Sequence, residues 1–341
     1  MSKKRTTSFD VAKHAGVSRS VVSAVLNGTQ GIGVSPEKRQ LVLDAIKELN
    51  YHVDSQARSM KTGKSGCIAV YGDMERPMFL QLLAGVKSAC SASGYYVMLN
   101  KAASGERMES RHELLDLYYQ KRIDGAISLD ATSYADPIWA EAVLEAGMPY
   151  VSVEGYAEDE RISSVQTDYR QSLREALAYM HRGGSVPLYL NIQVGGSAEA
   201  LGERQRLEAY IRWCEEAGVQ AEVVDCHLAE LDEDHIQARV LEIIRDRARR
   251  TLLANWSVGA FAVYRAAWQM DLRIGREVQV MAADNTYQVN QRLVPALSSM
   301  EIPYYRMGVQ AVDLVNLQLD STGAIRRQIK IQADLLKGES C

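Results

Sequence analysis

From Cys67 onward, short apolar runs alternate with segments whose apolar residues recur every three to four positions. The first pattern is that of buried strands and the second that of amphipathic helices. Strands are therefore predicted at Cys67–Tyr71, Tyr95–Leu99, Gly125–Leu129, Tyr150–Val153, Leu188–Ile192, Ala221–Val224, Thr251–Ala254 and Val278–Ala282. Helices are predicted near 78–93, 106–121, 138–146, 169–182, 203–217, 234–249 and 257–270, with another at 304–319. Regular alternation with short connections means parallel sheets covered by helices on both sides.

The first fifty residues carry helical signals only. Thr7 and Asp10 have the spacing of a capping box, so a helix should start there. Val11, Ala12 and Ala15 form its small apolar face, and Gly16 stops it because glycine tolerates the left-handed turn conformation. Ser18 caps a second helix, Arg19–Leu26, with Val22, Val25 and Leu26 inward and Asn27-Gly28 at its end. A third opens at Ser35-Pro36-Glu37, with a cap hydroxyl, a first-turn proline and an acid facing the helix dipole. Its stripe is Leu41, Val42, Ala45, Ile46 and Leu49, and Asn50 closes it. Two short helices joined by a glycine turn and covered by a third make a helix-turn-helix unit; an ordinary three-helix bundle has a similar core. In the first reading the second helix enters the major groove and presents Arg19 and Ser20, with Ala24 and Asn27 further along. Arg19 suits a guanine edge, and the Ala24 methyl a thymine methyl.

Charge separates these two parts. Residues 1–64 hold eleven Lys/Arg against five acids, net +6, whereas the remainder holds 28 against 38, net −10. A basic head on an acidic body is what a phosphate-binding module attached to a non-binding domain carries. At 341 residues, 47% apolar and 24% charged, the chain is an ordinary folded protein of two to three units. Its five cysteines (67, 90, 214, 226, 341) are odd in number and never paired as C-x-x-C, which fits reduced thiols in a cytosol. Lys3-Lys4-Arg5 is followed by polar residues rather than an apolar signal stretch, and Leu252 to Tyr264 is too short to span a bilayer. The expected location is the cytoplasm.

Enzyme signatures are missing. Gly183-Gly184 and Gly195-Gly196 form neither a dinucleotide fingerprint nor a phosphate loop. The six histidines lack zinc-ligand spacing, and no serine sits in a nucleophile elbow. No catalysis, cofactor or metal is expected.

Asp10 to Gly28 (DVAKHAGVSRSVVSAVLNG) closely resembles the N-terminal signature of the LacI/GalR repressors. The resemblance continues through Val34–Arg39 (VSPEKR) and Ile46–Tyr51 (IKELNY) to Ala57–Gly63 (ARSMKTG), nearly gapless over about sixty residues. Val21 and Ala24 depart, standing where many members carry Thr and a longer polar side chain, so the operator sequence cannot be copied from a relative. Read from composition alone, residues 54–64 are a solvated linker. The resemblance implies instead a hinge that turns helical only on DNA, pairs with its dimer mate and wedges an apolar side chain into the minor groove. Met60 holds that position, slim and unbranched enough to intercalate, with Arg58, Lys61 and Lys64 beside phosphates.

The same resemblance implies a type I periplasmic-binding-protein fold for the body. Two α/β lobes would be crossed near 155–165, 285–295 and 320–325, with a ligand between them outside the carboxyl ends of the strands. Asp73–Phe79 (DMERPMF) resembles the family's stretch after the first strand, and Thr167-Asp168-Tyr169 the acidic opening of the second lobe. Arg206–Ile211 (RLEAYI) resembles its Arg-x-x-Gly-aromatic motif, with Ala209 for glycine. Leu253–Gly259 (LANWSVG) resembles the Ala-Asn-Asp segment, with Trp256 for the acid. Ala283-Asp284-Asn285 and Pro295–Ser299 match the Gly-aromatic-Asp and Pro-x-Leu-Thr-Thr elements. The implied effector set is Asp73, Phe79, Asp168, Arg206, Asn255, Trp256 and Asp284. Read alone, Asp168 is a helix cap, Arg206 a solvated cation, Asn255 a turn residue and Trp256 core. Arg182–Pro187 (RGGSVP) lacks the usual Gly-His-Arg-Arg-Ile pattern, which makes the body a divergent one.

The expected architecture is an all-α helix-turn-helix head (1–53), a hinge (54–65) and a two-lobed α/β effector-binding and dimerisation body (66–341). The expected function is a homodimeric, sequence-specific repressor on double-stranded, pseudo-palindromic operator DNA. A sugar, sugar phosphate or related metabolite would control it by changing lobe closure and the spacing of the paired hinges. The helix from Met307 to Leu319 is a candidate dimer face, and a tetramer is compatible. Two alternatives remain at this stage: the same regulator with a vestigial pocket and a protein partner, and, more distantly, a solute-binding receptor.

Overall fold

The computed structural model describes residues 6–27, 33–52, 63–101, 107–184, 186–194, 201–228, 233–246, 250–321 and 325–341. Contacts divide the chain into Met1–Ser65 and Gly66–Cys341. The hinge residues Arg58, Met60 and Lys61 lie outside the described residues, as does the side chain of Asn27.

In the head, α1 (Ser8–His14) starts with both halves of the capping box: the Asp10 N–H donates to Thr7 Oγ1 and the Thr7 N–H to Asp10 Oδ2. Gly16 takes φ +63 and turns the chain into α2 (Arg19–Asn27). Helix α3 (Pro36–Glu48) is capped by Ser35, whose Oγ accepts from the Lys38 N–H at 3.3 Å. Val11, Ala12, Ala15, Val22, Val25, Val42 and Ala45 make the core. The stripe on α3 is narrower than predicted. Leu41 is 52% exposed, since neighbours about 100° apart on a helix cannot both face so small a core.

In the body, the first lobe is built from β1 (Cys67–Gly72), α4 (Pro77–Ala92), β2 (Tyr96–Lys101), α5 (Arg107–Tyr119), β3 (Gly125–Leu129), α6 (Pro137–Ala146), β4 (Tyr150–Val153) and β5 (Ser163–Thr167). The second lobe continues with α7 (Tyr169–Met180), β6 (Leu188–Val194), α8 (Leu201–Ala217), β7 (Val223–Leu228), α9 (Glu233–Arg245), β8 (Thr251–Ala254), α10 (Ser257–Gln269), β9 (Gln279–Ala282) and β10 (Ser298–Glu301). The chain then returns through α11 (Tyr304–Asp320) and β11 (Gln328–Ile331) to the first lobe and ends with β12 (Asp334–Leu336) in the second. The sheets run β11-β5-β4-β3-β1-β2 and β12-β10-β9-β8-β6-β7. Among the described residues every strand pairing is parallel except β10 with β12. Among the described residues no helix is long and apolar enough to cross a membrane.

The chain crosses between lobes at Asp168, at Ile302-Pro303 and at Gln332-Ala333, later each time than the sequence reading placed it. The displacement comes from β5, β10, β11 and β12, which were not predicted. Ser163–Thr167 is SSVQT and buried throughout, so a polar run fills a central position that the apolar-run rule passes over. The helix proposed as a dimer face is a second correction. In α11, Met307, Gly308, Ala311, Val312, Leu314 and Val315 are buried in the first lobe against α4, so that apolar face is already spent. The five cysteines are free thiols, and burial pushes Cys90 and Cys226 up to about 11, away from reactivity.

Candidate functional site

The head presents Arg19 and Ser20 at the exposed N-terminus of α2, where the Ser18 and Ser20 hydroxyls lie 2.7 Å apart. Lys13, Lys38 and Arg39 are exposed as well. A pair between His14 Nε2 and Glu48 Oε2 at 2.8 Å ties α1 to α3, holding the frame on which α2 is carried. Ala24 is only 5% exposed, because it lies on the side of α2 turned into the domain. Its methyl is therefore withdrawn from the base-contacting set.

In the body, Asp73, Asp168, Asn255, Trp256 and Asp284 follow the carboxyl ends of strands, whereas Phe79 and Arg206 lie on α4 and α8, and the set divides by role. Phe79 is fully buried in the first-lobe core, its ring filling the space over Gly72 that a Cβ would occupy, which removes it from the pocket. Asn255 is spent on the backbone of β6: Oδ1 accepts from the Ile192 N–H at 2.8 Å, and Nδ2 donates to Ile192 O and Asn191 Oδ1. Asp284 is fully buried and accepts from Ser257 Oγ and from the N–H groups of Ser257 and Thr286, so it anchors the start of α10. Asp168 caps α7, accepting from the Gln171 N–H at 3.0 Å. Asp73 pairs with half-exposed Arg76 at 3.2 Å in the turn after β1. For Asn255 and Asp284, turn and cap chemistry takes up the oxygens that a ligand was expected to use, and for Asp168 it takes up Oδ1.

Arg206 and Trp256 are different. Arg206 is 1% exposed, with Cζ over the ring of Tyr169 at 4.4 Å and over Trp256 at 4.7 Å. Trp256 Nε1 donates to Glu203 Oε1 at 2.9 Å, which fixes the indole. Opposite stands Glu154, the residue after β4, in the left-handed conformation at φ 72. Burial pushes its carboxyl up, against hydrogen bonds from Thr167 and Tyr169 that favour the ionised form. Burial and then the Glu154 charge raise the phenol of Tyr169. Tyr304, at the second crossing, is raised by the same two causes. The lobes touch beside this group: the Gly202 N–H donates to Thr132 Oγ1 at 3.2 Å, and Arg204 lies 3.6 Å from Glu158.

Sequence reasoning missed Glu154, Tyr169, Glu203 and Tyr304 as site residues. For Glu154 a signal existed, since it directly follows an apolar strand, at the end where open α/β sheets meet their ligands. A second arginine, Arg111, lies buried within the first lobe, donating to Tyr150 Oη at 2.8 Å and Asp130 Oδ1 at 2.5 Å. Asp130 also accepts from Ser128 Oγ and Ser152 Oγ.

Comparisons with known proteins place both halves. Residues 9–54 match the family described as bacterial regulatory proteins, lacI family, and residues 191–341 match the periplasmic binding protein-like domain. The ribose operon repressor of Halalkalibacterium halodurans is 31% identical over 316 residues, covering 92% of this chain and 91% of the relative. The HTH-type transcriptional repressor PurR of Erwinia tasmaniensis is 26% identical over 339 residues, covering 97% and 95%. Among solved structures, the Lac repressor bound to ONPG superposes with a TM-score of 0.74 at 21% identity, covering 99% of this chain and 100% of that one. A head with a capped reading helix, a two-sheet body crossed three times and full-length relatives of one kind converge: the chain belongs to the LacI family of bacterial regulatory proteins.

Proposed function

We propose that the chain is a homodimeric, sequence-specific DNA-binding repressor acting in the cytoplasm, controlled by a small metabolite held between its lobes. The observation that carries the DNA half is the exposed N-terminus of α2, with Arg19 and Ser20 on a frame locked by the Thr7 capping box. One reading helix contacts only a few base pairs, so two heads and a two-fold-related site are required. Apolar side chains left outside the cores are available to a dimer contact, among them Leu80, Tyr96 (78% exposed) and Leu99 in the first lobe and Trp268 (83% exposed) and Tyr287 in the second. The Lac repressor has been solved as a dimer bound to operator and an anti-inducer, and CelR in complex with cellobiose. Those neighbours support operator binding and a small-molecule ligand for this chain. Ligand-dependent closure of the lobes then shifts operator affinity, a coupling typically worth ~1–3 kcal/mol.

The experiment is a titration of operator and random duplexes. Arg19→Ala is expected to weaken operator binding by about 1–3 kcal/mol, roughly 5- to 150-fold, and to leave random DNA nearly unaffected. Met60→Ala is expected to do the same through the minor groove. Equal losses on both duplexes would reject base reading for Arg19 and wedging for Met60.

One observation favours a second reading, a vestigial pocket with a protein partner: Phe79, Asn255 and Asp284 are committed to the fold. A thermal-shift screen against sugars, phosphosugars and nucleobases separates the two. Silence across all classes favours the protein partner.

A further inference from the structure

A chain of five side chains runs across the cleft. Glu154, after β4 of the first lobe, accepts a hydrogen bond from the phenol of Tyr169, the residue that opens α7 beyond the first crossing. The Tyr169 ring faces the Arg206 guanidinium, with Cζ 4.4 Å from its centroid. The indole of Trp256 faces the same guanidinium at 4.7 Å, and its Nε1 donates to Glu203 Oε1 at 2.9 Å. Glu203 and Arg206 lie three positions apart on one side of α8. All three charged members are buried.

The two halves repeat one arrangement: a carboxylate takes the polar hydrogen of an aromatic ring, and the ring turns its face to the cation. Donation to a carboxylate leaves the ring richer in electrons, which strengthens its attraction for a guanidinium. Neither Nη1 nor Nη2 of Arg206 has a hydrogen-bond partner among the described residues, so ring faces and charge set where the cation sits. The rings are fixed in turn by the carboxylates. Glu154 also accepts from the Thr167 hydroxyl at 2.6 Å, on the first-lobe side of the crossing. It thus holds both ends of the first crossing while its charge faces the cation of the second lobe.

We propose that Glu154 and Glu203 are positioning residues for the cleft, holding Tyr169 and Trp256 against Arg206 so that lobe closure and the first crossing move as one unit. This rests on the reading that lobe closure governs operator affinity.

Two carboxyls to one guanidinium leave an excess of negative charge, and burial pushes Glu154 up even with Arg206 beside it. Around Glu154 stand Tyr169 from α7, Tyr304 from α11 and Arg206 from α8, with Glu203 on Trp256 and with Asp284 and Arg76 near Tyr304. A buried acid raised above its ordinary value makes the fold less stable as pH rises through the raised range, because the native state binds that proton more tightly than the unfolded chain. Removing Arg206 extends that range upward.

Thermal unfolding of the full chain at two pH values tests the charge. Arg206→Met is expected to lower the Tm by about 5 °C at pH 8 and by less than half of that at pH 5.5, where Glu154 takes up a proton. Arg206→Lys keeps the charge and should retain most of the Tm. Adding Glu154→Gln to Arg206→Met should return most of the loss at pH 8. A loss equal at both pH values and untouched by Glu154→Gln overturns the role of Glu154. Trp256 emission, read as the difference from Trp256→Phe, tests the other half. Glu203→Ala is expected to shift it to longer wavelength, whereas Glu203→Gln, which keeps an acceptor for Nε1, leaves it in place. No shift in either variant, or the same shift in both, overturns the role of Glu203. The last arm titrates the genomic duplex that the parent chain retains most strongly; Glu154→Gln and Arg206→Met are each expected to change that affinity at least ~5-fold. Unchanged duplex affinity, with the thermal and emission results as expected, overturns closure as the control of DNA binding and leaves the two positioning roles standing.

Discussion

Gly308→Leu is expected to abolish the folded first lobe, with the protein recovered in the insoluble fraction or its body transition lowered by more than about 3 kcal/mol. Helices α4 and α11 approach at backbone distance. A Cβ on Gly308 would stand 2.9 Å from the Val86 backbone nitrogen and closer still to the Leu82 carbonyl oxygen. From the other helix, a Cβ on Gly85 would run into the Tyr305 carbonyl. Backbone cannot rotate aside as a side chain does, so the helices must separate. Separation strips contacts from Leu82, Val86, Met307, Ala311 and Val312, all buried in one core. Gly33→Ala is the control: nothing lies within 4 Å of its Cβ position, and the change should stay within about 0.5 kcal/mol. Urea unfolding of both variants reads the difference. A Gly308→Leu protein as stable as its parent would mean that the helices are not packed in this way.

The second large effect is expected at Asp130. Its carboxylate, with the side chain 1% exposed, holds Arg111, Ser128 and Ser152 together. Tyr71 and Tyr134 lie under the guanidinium at 4.8 and 4.3 Å. Asp130→Ala leaves a buried cation without its carboxylate and the Ser152 hydroxyl without its acceptor, and is expected to cost about 3–5 kcal/mol. Adding Arg111→Met should recover most of that loss, because the burial penalty goes with the charge. Asp130 also starts the loop that carries Thr132 to Gly202 across the cleft, so the single variant should lose effector response along with stability. A single variant within 1 kcal/mol of the parent, by the same unfolding measurement, would show that the box contributes nothing.

Legibility in the sequence followed chemistry that acts locally. The capping box, the Ser35 cap and the αL glycine at 16 each depend on residues within a few positions, and each was readable. Apolar strands were readable for the same reason. Strands such as SSVQT and SSME were not, because their burial comes from neighbours far along the chain, and the lobe crossings shifted with them. At the cleft, most of the ordered motifs fall just after the carboxyl ends of strands. Which side chains had oxygens to spare could not be seen: Asn255 and Asp284 are consumed by backbone groups 63 and 27 residues away. Arg206, read alone as a solvated cation on a charged helix, is buried because Tyr169 and Trp256 come from other elements to cover it.

In the proposed function, paired, basic reading helices select particular DNA while the acidic body governs when. The most direct measurement incubates the purified protein with fragmented genomic DNA and shuffled competitor at low salt, with and without candidate metabolites, and sequences what is retained. Enrichment of a few fragments sharing a two-fold-symmetric site is expected, with retention that changes when the effector is added. Retention of genomic and shuffled fragments in equal proportion under every condition would contradict it.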